Sequence, residues 1–230
     1  MLRIGHRGDP RHAPENTLVS LETAWRHGRR VLEFDVRASR DEVPVVFHDR
    51  LLERTTDGVG PVANYRWQAL AHLDAGGWFH RRFAGEPVAS VRQVLAAFRH
   101  RPLRLFLDVK VPGIERELHG LIEEMGMSGR CWIASYHLDA LKIFKRLAPW
   151  WPLYRVTGFG QPITARRIQH ARTFGLTGFV AYKRWVTSEL VRRLRAEALE
   201  LYVWTVRRRD EEERFRRMGV TGVMTERCVR

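Results

Sequence analysis

The sequence predicts an α/β fold, a closed (β/α)8 TIM barrel with a small insertion after its second strand. Three observations predict it: short apolar runs recur eight times, helix-like segments separate them, and one connection is far longer than the few residues usual between such elements. In a parallel barrel each strand is covered on both faces, so its strands read as short continuous apolar runs without polar alternation. An open doubly wound sheet is the main rival, but it rarely needs eight such units in so short a chain.

The runs are 2–5 (LRIG), 31–36 (VLEFDV), 103–109 (LRLFLDV), 131–135 (CWIAS), 152–156 (PLYRV), 177–181 (TGFVA), 201–206 (LYVWTV) and 222–225 (GVMT). Helical periodicity between them places helices at 16–27, 90–99, 114–125, 138–147, 163–173, 187–198 and 210–217. Inside the long connection, 43–47 (VPVVF) is itself strand-like and follows the polar turn Ser39-Arg40-Asp41-Glu42. It is expected to fold back as a hairpin and return His48 to the level where the second strand leaves the barrel. The rest, residues 50–88, is the insertion; no linker or low-complexity stretch divides the chain, so 1–230 reads as one domain.

The composition, 44% hydrophobic and 29% charged, is that of an ordinary globular protein with enough chain to bury a substantial core. No apolar run approaches the roughly 18–20 residues of a membrane span, and no leader-like pattern precedes the first strand, so the expected location is cytoplasmic. Cys131 and Cys228 are read as reduced thiols and not as a disulfide framework. The formal charge of +14 is mostly Arg spread along amphipathic helices, which is the pattern of a solvated helix face. Zinc-finger spacing, aromatic nucleic-acid motifs and a long basic tail are all missing, so nucleic acid is not the expected partner. A genome base composition that favours Arg codons or a field that attracts phosphate esters would each explain the excess.

The unusual polar residues fall at strand ends. His6 and Arg7 end the first strand between Gly5 and Gly8, and His48 ends the hairpin. Glu33 and Asp35, two apart on the second strand, point to one side, and Asp108 and Lys110 repeat that spacing at the end of the next. In such barrels the C-terminal strand ends form the active-site face. Carboxylates inside a barrel are costly unless paired or bound to a cation. Three of them without thiols make a hard, oxygen-rich set suited to one divalent cation, Mg2+ or Ca2+, more than to Zn2+. Pairing of Glu33 and Asp35 with Arg7 and Lys110 is the plainer reading of each residue alone; their joint placement favours a site.

The combination GHRG, PENT, LEFDV, VPVVFHD and RTTDG, with LDVK and VWTV further on, resembles the glycerophosphodiester phosphodiesterase family over nearly the whole chain. The resemblance implies a barrel with an insertion at this place and a metal-dependent hydrolysis of glycerophosphodiesters to sn-glycerol 3-phosphate and an alcohol. It implies His6 and His48 as the proton-exchanging pair, Arg7 and Lys110 as phosphate-binding residues, and Glu33, Asp35 and Asp108 as the cation's ligands. It further implies Trp204 as an aromatic face for the glycerol, and first attack by the glycerol 2-hydroxyl to give a cyclic phosphate. Glu15 is read as a supporting partner of Arg7 or of the metal site, and Asn16 or Thr17 as the cap of the first helix. The aromatics of the insertion, Tyr65, Trp67, Trp78 and Phe79, are expected to pack a small subdomain, and Trp150-Trp151 to be structural on the opposite barrel face.

The chain departs from the family's usual pattern at several places. Asp108 stands where most members have Glu, which draws the carboxylate back by one methylene and also resembles the related sphingomyelinase D phospholipases. Arg207 follows VWTV in place of the frequent Asn, and TERC replaces the usual Thr-Asp of the last strand. Two alternatives therefore stand beside the main reading: a lysophospholipase D or sphingomyelinase D-like enzyme with an apolar channel and peripheral membrane contact, and a non-catalytic barrel that binds phosphate-rich ligands.

Overall fold

Both faces of each barrel strand are covered, which is why alternation is missing from the sequence. In β4 (Arg104–Val109), Phe106 packs inside the ring against Tyr154 and Tyr202, while Leu105 and Leu107 join the outer core beneath the helices. The computed structural model describes residues 1–226; Cys228 lies outside the described residues.

The strands are β1 (Leu2–Gly5), β2 (Val31–Ala38), β3 (Pro44–Val46), β4, β5 (Cys131–Ser135), β6 (Leu153–Thr157), β7 (Gly178–Tyr182), β8 (Glu200–Val206) and β9 (Gly222–Thr225). The helices are α1 (Leu18–Arg26), α2 (Trp67–Leu70), α3 (Val91–Phe98), α4 (Glu115–Glu124), α5 (Leu138–Leu147), α6 (Ala165–Thr173), α7 (Ser188–Ala196) and α8 (Arg209–Met218). β1 pairs in parallel with both β2 and β9, and this closes a ring of eight parallel strands and excludes the open sheet. β3 is the ninth strand and pairs antiparallel with the end of β2, Val36 opposite Val46 and Ala38 opposite Pro44. That is the expected hairpin, and the extra pairing carries β2 two residues beyond the 31–36 read from the sequence.

The floor of the barrel is aromatic. Phe106, Trp132, Tyr154 and Tyr202 meet with ring centroids 5.0–6.0 Å apart. The hydroxyls of Tyr154 and Tyr202 both donate to Glu200 Oε2, at 2.7 and 3.0 Å, and Glu200 begins β8, so this layer lies at the N-terminal strand ends. Val156, Val180 and Met224 lie above it, under the polar residues of the opposite end.

The insertion has a core of its own, Val45, Phe47, Leu52, Val62, Leu70, Ala75 and Val88, with Tyr65 and Trp67 packed against it. Phe79 meets Trp78 and Phe83 edge-on. Tyr65 and Trp67 thus pack the subdomain, whereas Trp78 stays exposed on its surface. At the other end Trp150 is exposed, whereas Trp151 is buried and stacked on Phe144. No helix among the described residues is long and apolar enough to cross a membrane.

One irregularity aims side chains. Between Val203–Val223 and Val206–Thr225 the pairing of β8 with β9 gains one residue on β8, a bulge at Trp204 and Thr205. It places the hydroxyl of Thr205 beside His6 while Trp204 lines the pocket.

Candidate active site

The tip of β1 is built by a left-handed turn. Arg7 (φ 58°) and Gly8 (φ 84°) both have positive φ, and a Cβ on Gly8 would lie 2.6 Å from the backbone carbonyl carbon of Ser20. Only glycine fits there. The turn points the Arg7 N–H at Glu33 Oε2 (2.7 Å) and sends its guanidinium between Glu15 Oε1 (2.8 Å from Nη1) and Asp35 Oδ2 (3.1 Å from Nε).

Asp35 and Asp108 are register partners on β2 and β4, and Glu33 precedes Asp35 by two. All three are buried, and one oxygen from each lies within 4.8 Å of the others. Lys110 Nζ sits 2.8 Å from Asp35 Oδ1 and 2.5 Å from Asp108 Oδ2. Asn16, not a helix cap, brackets Asp35: its Nδ2 donates to Asp35 Oδ2 at 2.8 Å, and its Oδ1 accepts from the Asp35 N–H at 3.1 Å. The cap of α1 is Thr17, whose hydroxyl accepts from Ser20 N at 3.2 Å.

Burial pushes the Glu33 carboxyl well above its usual range, and Asp35 and Asp108 push the same way. Burial also raises Asp108, against the pull of Lys110. At Asp35 burial again opposes ionisation, but Lys110 and Arg7 outweigh it and hold the group well below the usual carboxylate range. Burial disfavours the Lys110 ammonium, yet Asp108 and Asp35 more than compensate and push it up. Crowded acids of this kind are relieved by added positive charge. The donors are all oxygen, and Asp108 Oδ1 is buried with no hydrogen-bond partner among the described residues. The set therefore fits a hard divalent cation, and the shorter Asp108 stays within it.

His6 is buried, with Nε2 4.0 Å from Glu33 Oε2 and Nδ1 3.4 Å from Thr205 Oγ1. Burial first, and Arg7 next, hold its pKa well below the usual value. His48, at the end of the hairpin, has Nδ1 2.5 Å from Asp49 Oδ1. Burial lowers His48 as well, with Arg7 and Lys110 adding to the effect. Arg54 ties these parts together: it pairs with Asp49 through Nε and donates to Glu15 Oε1 at 2.7 Å, so a chain of ion pairs runs Arg7–Glu15–Arg54–Asp49 and ends in the hydrogen bond between Asp49 and His48. Glu15 thus supports Arg7 and lies outside the carboxylate cluster.

His6, Arg7, Glu33, His48, Asp108 and Lys110 line one pocket, with Trp204 and Tyr136 on its wall. The Trp204 indole N–H is buried and has no partner among the described residues. Tyr182 lies 5.3 Å from the Trp204 ring and Phe159 4.1 Å from Tyr182, so an aromatic strip climbs from the pocket to Phe159, which is 71% exposed. The two rim departures meet each other: Arg207 donates to both oxygens of Glu226 at 2.7 Å. Asn16 in its bracketing role, Arg54, Thr205 and Tyr136 were not singled out from the sequence; the first three lay inside quoted motifs, PENT, RTTDG and VWTV, and Tyr136 lay in none.

The model of the glycerophosphoryl diester phosphodiesterase family matches residues 6–229. A glycerophosphodiester phosphodiesterase of Caldanaerobacter subterraneus subsp. tengcongensis is 30% identical, over 98% of this chain and 93% of that protein. Among solved structures, an Oleispira antarctica phosphodiesterase in complex with the product sn-glycerol-3-phosphate superposes with a TM-score of 0.89, at 25% identity and over 98% and 93% of the two chains. A glycerophosphodiester phosphodiesterase from Agrobacterium tumefaciens shares the fold, with a TM-score of 0.86 at 24% identity over 99% and 97%. These likenesses set aside the non-catalytic barrel. The chain belongs to the glycerophosphoryl diester phosphodiesterase family and is a phosphoric diester hydrolase.

Proposed function

We propose that the protein, acting as one domain, hydrolyses glycerophosphodiesters to sn-glycerol 3-phosphate and an alcohol, with a divalent cation held by Glu33, Asp35 and Asp108. The observation that carries the reading is the convergence of two histidines, two cationic side chains and the carboxylates of Glu33 and Asp108 in one pocket, with the buried Asp35 clustered against those two acids. The product named for the Oleispira antarctica phosphodiesterase supports the choice of substrate. When bound, Mg2+ or Ca2+ supplies Lewis-acid polarisation of a phosphate oxygen and acidifies a nearby hydroxyl.

The protein's own groups do the rest. Arg7 and Lys110 neutralise the phosphate charge that must be stabilised as phosphorus becomes five-coordinate. His6 and His48 exchange protons: one imidazole takes the proton of the attacking glycerol 2-hydroxyl, and the other delivers a proton to the alcohol oxygen as its bond to phosphorus breaks. With the two roles reversed, water then adds to the cyclic phosphate, gives up a proton to one imidazole, and the other protonates the glycerol O2 as its bond to phosphorus breaks, leaving sn-glycerol 3-phosphate. Asp49 at His48 Nδ1 orients that ring and leaves Nε2 for proton exchange. Trp204 packs against the glycerol. On this reading the enzyme works in the cytoplasm, where a thiol such as Cys131 stays reduced.

A second reading, lipid substrates, has one observation in its favour, the aromatic strip from Trp204 to exposed Phe159. Release of glycerol 3-phosphate from diesters of choline, ethanolamine and inositol, with and without chelator, tests the main reading. Micellar lysophosphatidylcholine as the preferred substrate would establish the second, and no turnover of either class would overturn both.

A further inference from the structure

Beyond the pocket, two residues past Arg7, the β1–α1 loop carries a second cluster. Asp9 is completely buried, and its backbone N–H donates to both the carbonyl (3.1 Å) and the hydroxyl (2.9 Å) of Ser20 on α1. Two imidazoles converge on its carboxylate: His12 Nδ1 lies 3.0 Å from each oxygen, and His27 Nδ1 lies 2.7 Å from Oδ2. The rings meet edge to face, centroids 5.1 Å apart, so both nitrogens reach the same carboxylate without collision. The His12 and His27 side chains are 44% and 33% exposed, which leaves the cluster open to solvent on the outer side.

We propose that Asp9, His12 and His27 form a second metal site, for a borderline divalent ion of the Zn2+ class. Three ligand atoms, one from each residue, lie within 4.8 Å of one another. Two imidazole nitrogens and one carboxylate oxygen are a different donor set from the all-oxygen cluster of the pocket, and they select a late first-row ion over Mg2+ or Ca2+. Ligand bonds of about 2.0–2.1 Å in a tetrahedron set donor atoms roughly 3.3 Å apart, so each ring needs to draw back from the Asp9 carboxylate by only about half an ångström. Both can: His12 sits in a loop and His27 at the C-terminal end of α1. Three protein ligands with a solvent-facing side leave the fourth position to water. The ion would fasten the loop that presents His6 and Arg7 to α1, with no part in proton transfer.

The test uses the full chain, stripped with chelator and returned to buffer with Mg2+ in excess. Co2+ is titrated by calorimetry and visible absorption, then displaced by Zn2+, in the native chain and in His12→Ala, His27→Gln and Asp108→Asn. Expected are one Co2+ per chain with the intense visible bands of a nitrogen-ligated four-coordinate ion, and a melting temperature that climbs with Zn2+ concentration. Both histidine variants should bind at least about tenfold more weakly, because changes beyond the ligands alone cost about 10–100-fold. They should keep their Mg2+-supported turnover, and Asp108→Asn should keep the Co2+ site. Only weak oxygen-type bands in the native chain, which needs no variant to fold, would overturn the site. Binding lost in Asp108→Asn but retained in the histidine variants would also overturn it, leaving Asp9 with a hydrogen-bond clamp only.

Discussion

Asn16 and Asp35 hold each other through two reciprocal hydrogen bonds, side-chain amide to carboxylate at 2.8 Å and backbone N–H to side-chain carbonyl at 3.1 Å. Asn16 is buried and left-handed (φ 57°), a conformation its short amide tolerates better than most side chains. The pair thereby fixes one carboxylate of the buried acidic cluster to the PENT loop.

Asn16→Ala should lower stability and turnover together. It strands the buried Asp35 N–H, at about 1–3 kcal/mol for an unsatisfied group, leaves Asp35 Oδ2 with the Arg7 guanidinium alone, and strains the left-handed backbone. Asn16→Gly relieves the strain but not the lost bonds, so it should recover part of the stability and none of the turnover. Denaturant unfolding beside kcat decides; normal turnover in the glycine variant would show that the bracket does not position Asp35.

His6→Asn and His48→Asn keep polar side chains of similar breadth but cannot exchange a proton near neutral pH. Each should cut turnover by about 10²-fold or more, the usual scale for a positioned acid or base. Melting temperature should hardly move. Near-normal rates in a folded variant would refute proton transfer at that residue, and a collapsed melting temperature would make it structural.

Exhaustive chelation should abolish activity, and Mg2+ or Ca2+ should restore it. Full activity in metal-free buffer would remove Glu33, Asp35 and Asp108 from the role of ligands. Because Asp108 already lies in the cluster with a methylene fewer than Glu, Asp108→Glu shifts the carboxylate relative to Glu33 and Asp35. The order of preference among Mg2+, Mn2+ and Ca2+ should change, or turnover fall; identical kinetics with all three ions would show the departure to be neutral.

Burial pushes the Cys131 thiol up to about 12, with Arg130 opposing only weakly. In a Cys228→Ser background, a thiol reagent at pH 8 should leave the folded chain unmodified and react at once in denaturant. The raised folded-state value makes the contribution to stability complete below the unfolded pKa near 9 and lost as pH rises toward 12. Alkaline unfolding should therefore weaken in Cys131→Ala, once its cavity cost is subtracted at neutral pH; rapid labelling of the folded protein would contradict the burial.

The barrel was legible because two-sided burial leaves short apolar runs, and β1, β5 and β9 have the bounds read from the sequence. The first helix was drawn two residues early, since the left-handed Asn16 interrupts what periodicity alone would continue. α2, at four residues, is too short to show a period. The convergence of His6, His48 and the acids was legible because each stands at a strand end. What escaped were pairings between distant segments: Asn16 with Asp35, Arg54 with Glu15, and Thr205 with His6 through a bulge that no local pattern announces. Arg207 and Glu226 were each noticed as departures, yet only their 2.7 Å contacts show them to be one feature.

The aromatic floor turns the barrel into a cup with a single mouth. Whatever passes Trp204 going in must pass it coming out, so the two products of the proposed reaction cannot leave independently. With phosphate held at Arg7 and Lys110 as proposed, the alcohol would lie toward the opening and would have to clear it before the phosphate ester seated beneath it. On the proposed reaction, departure would be ordered by this single mouth: glycerol 3-phosphate, the last to leave, should compete with incoming substrate, whereas added alcohol should meet an enzyme still holding its other product.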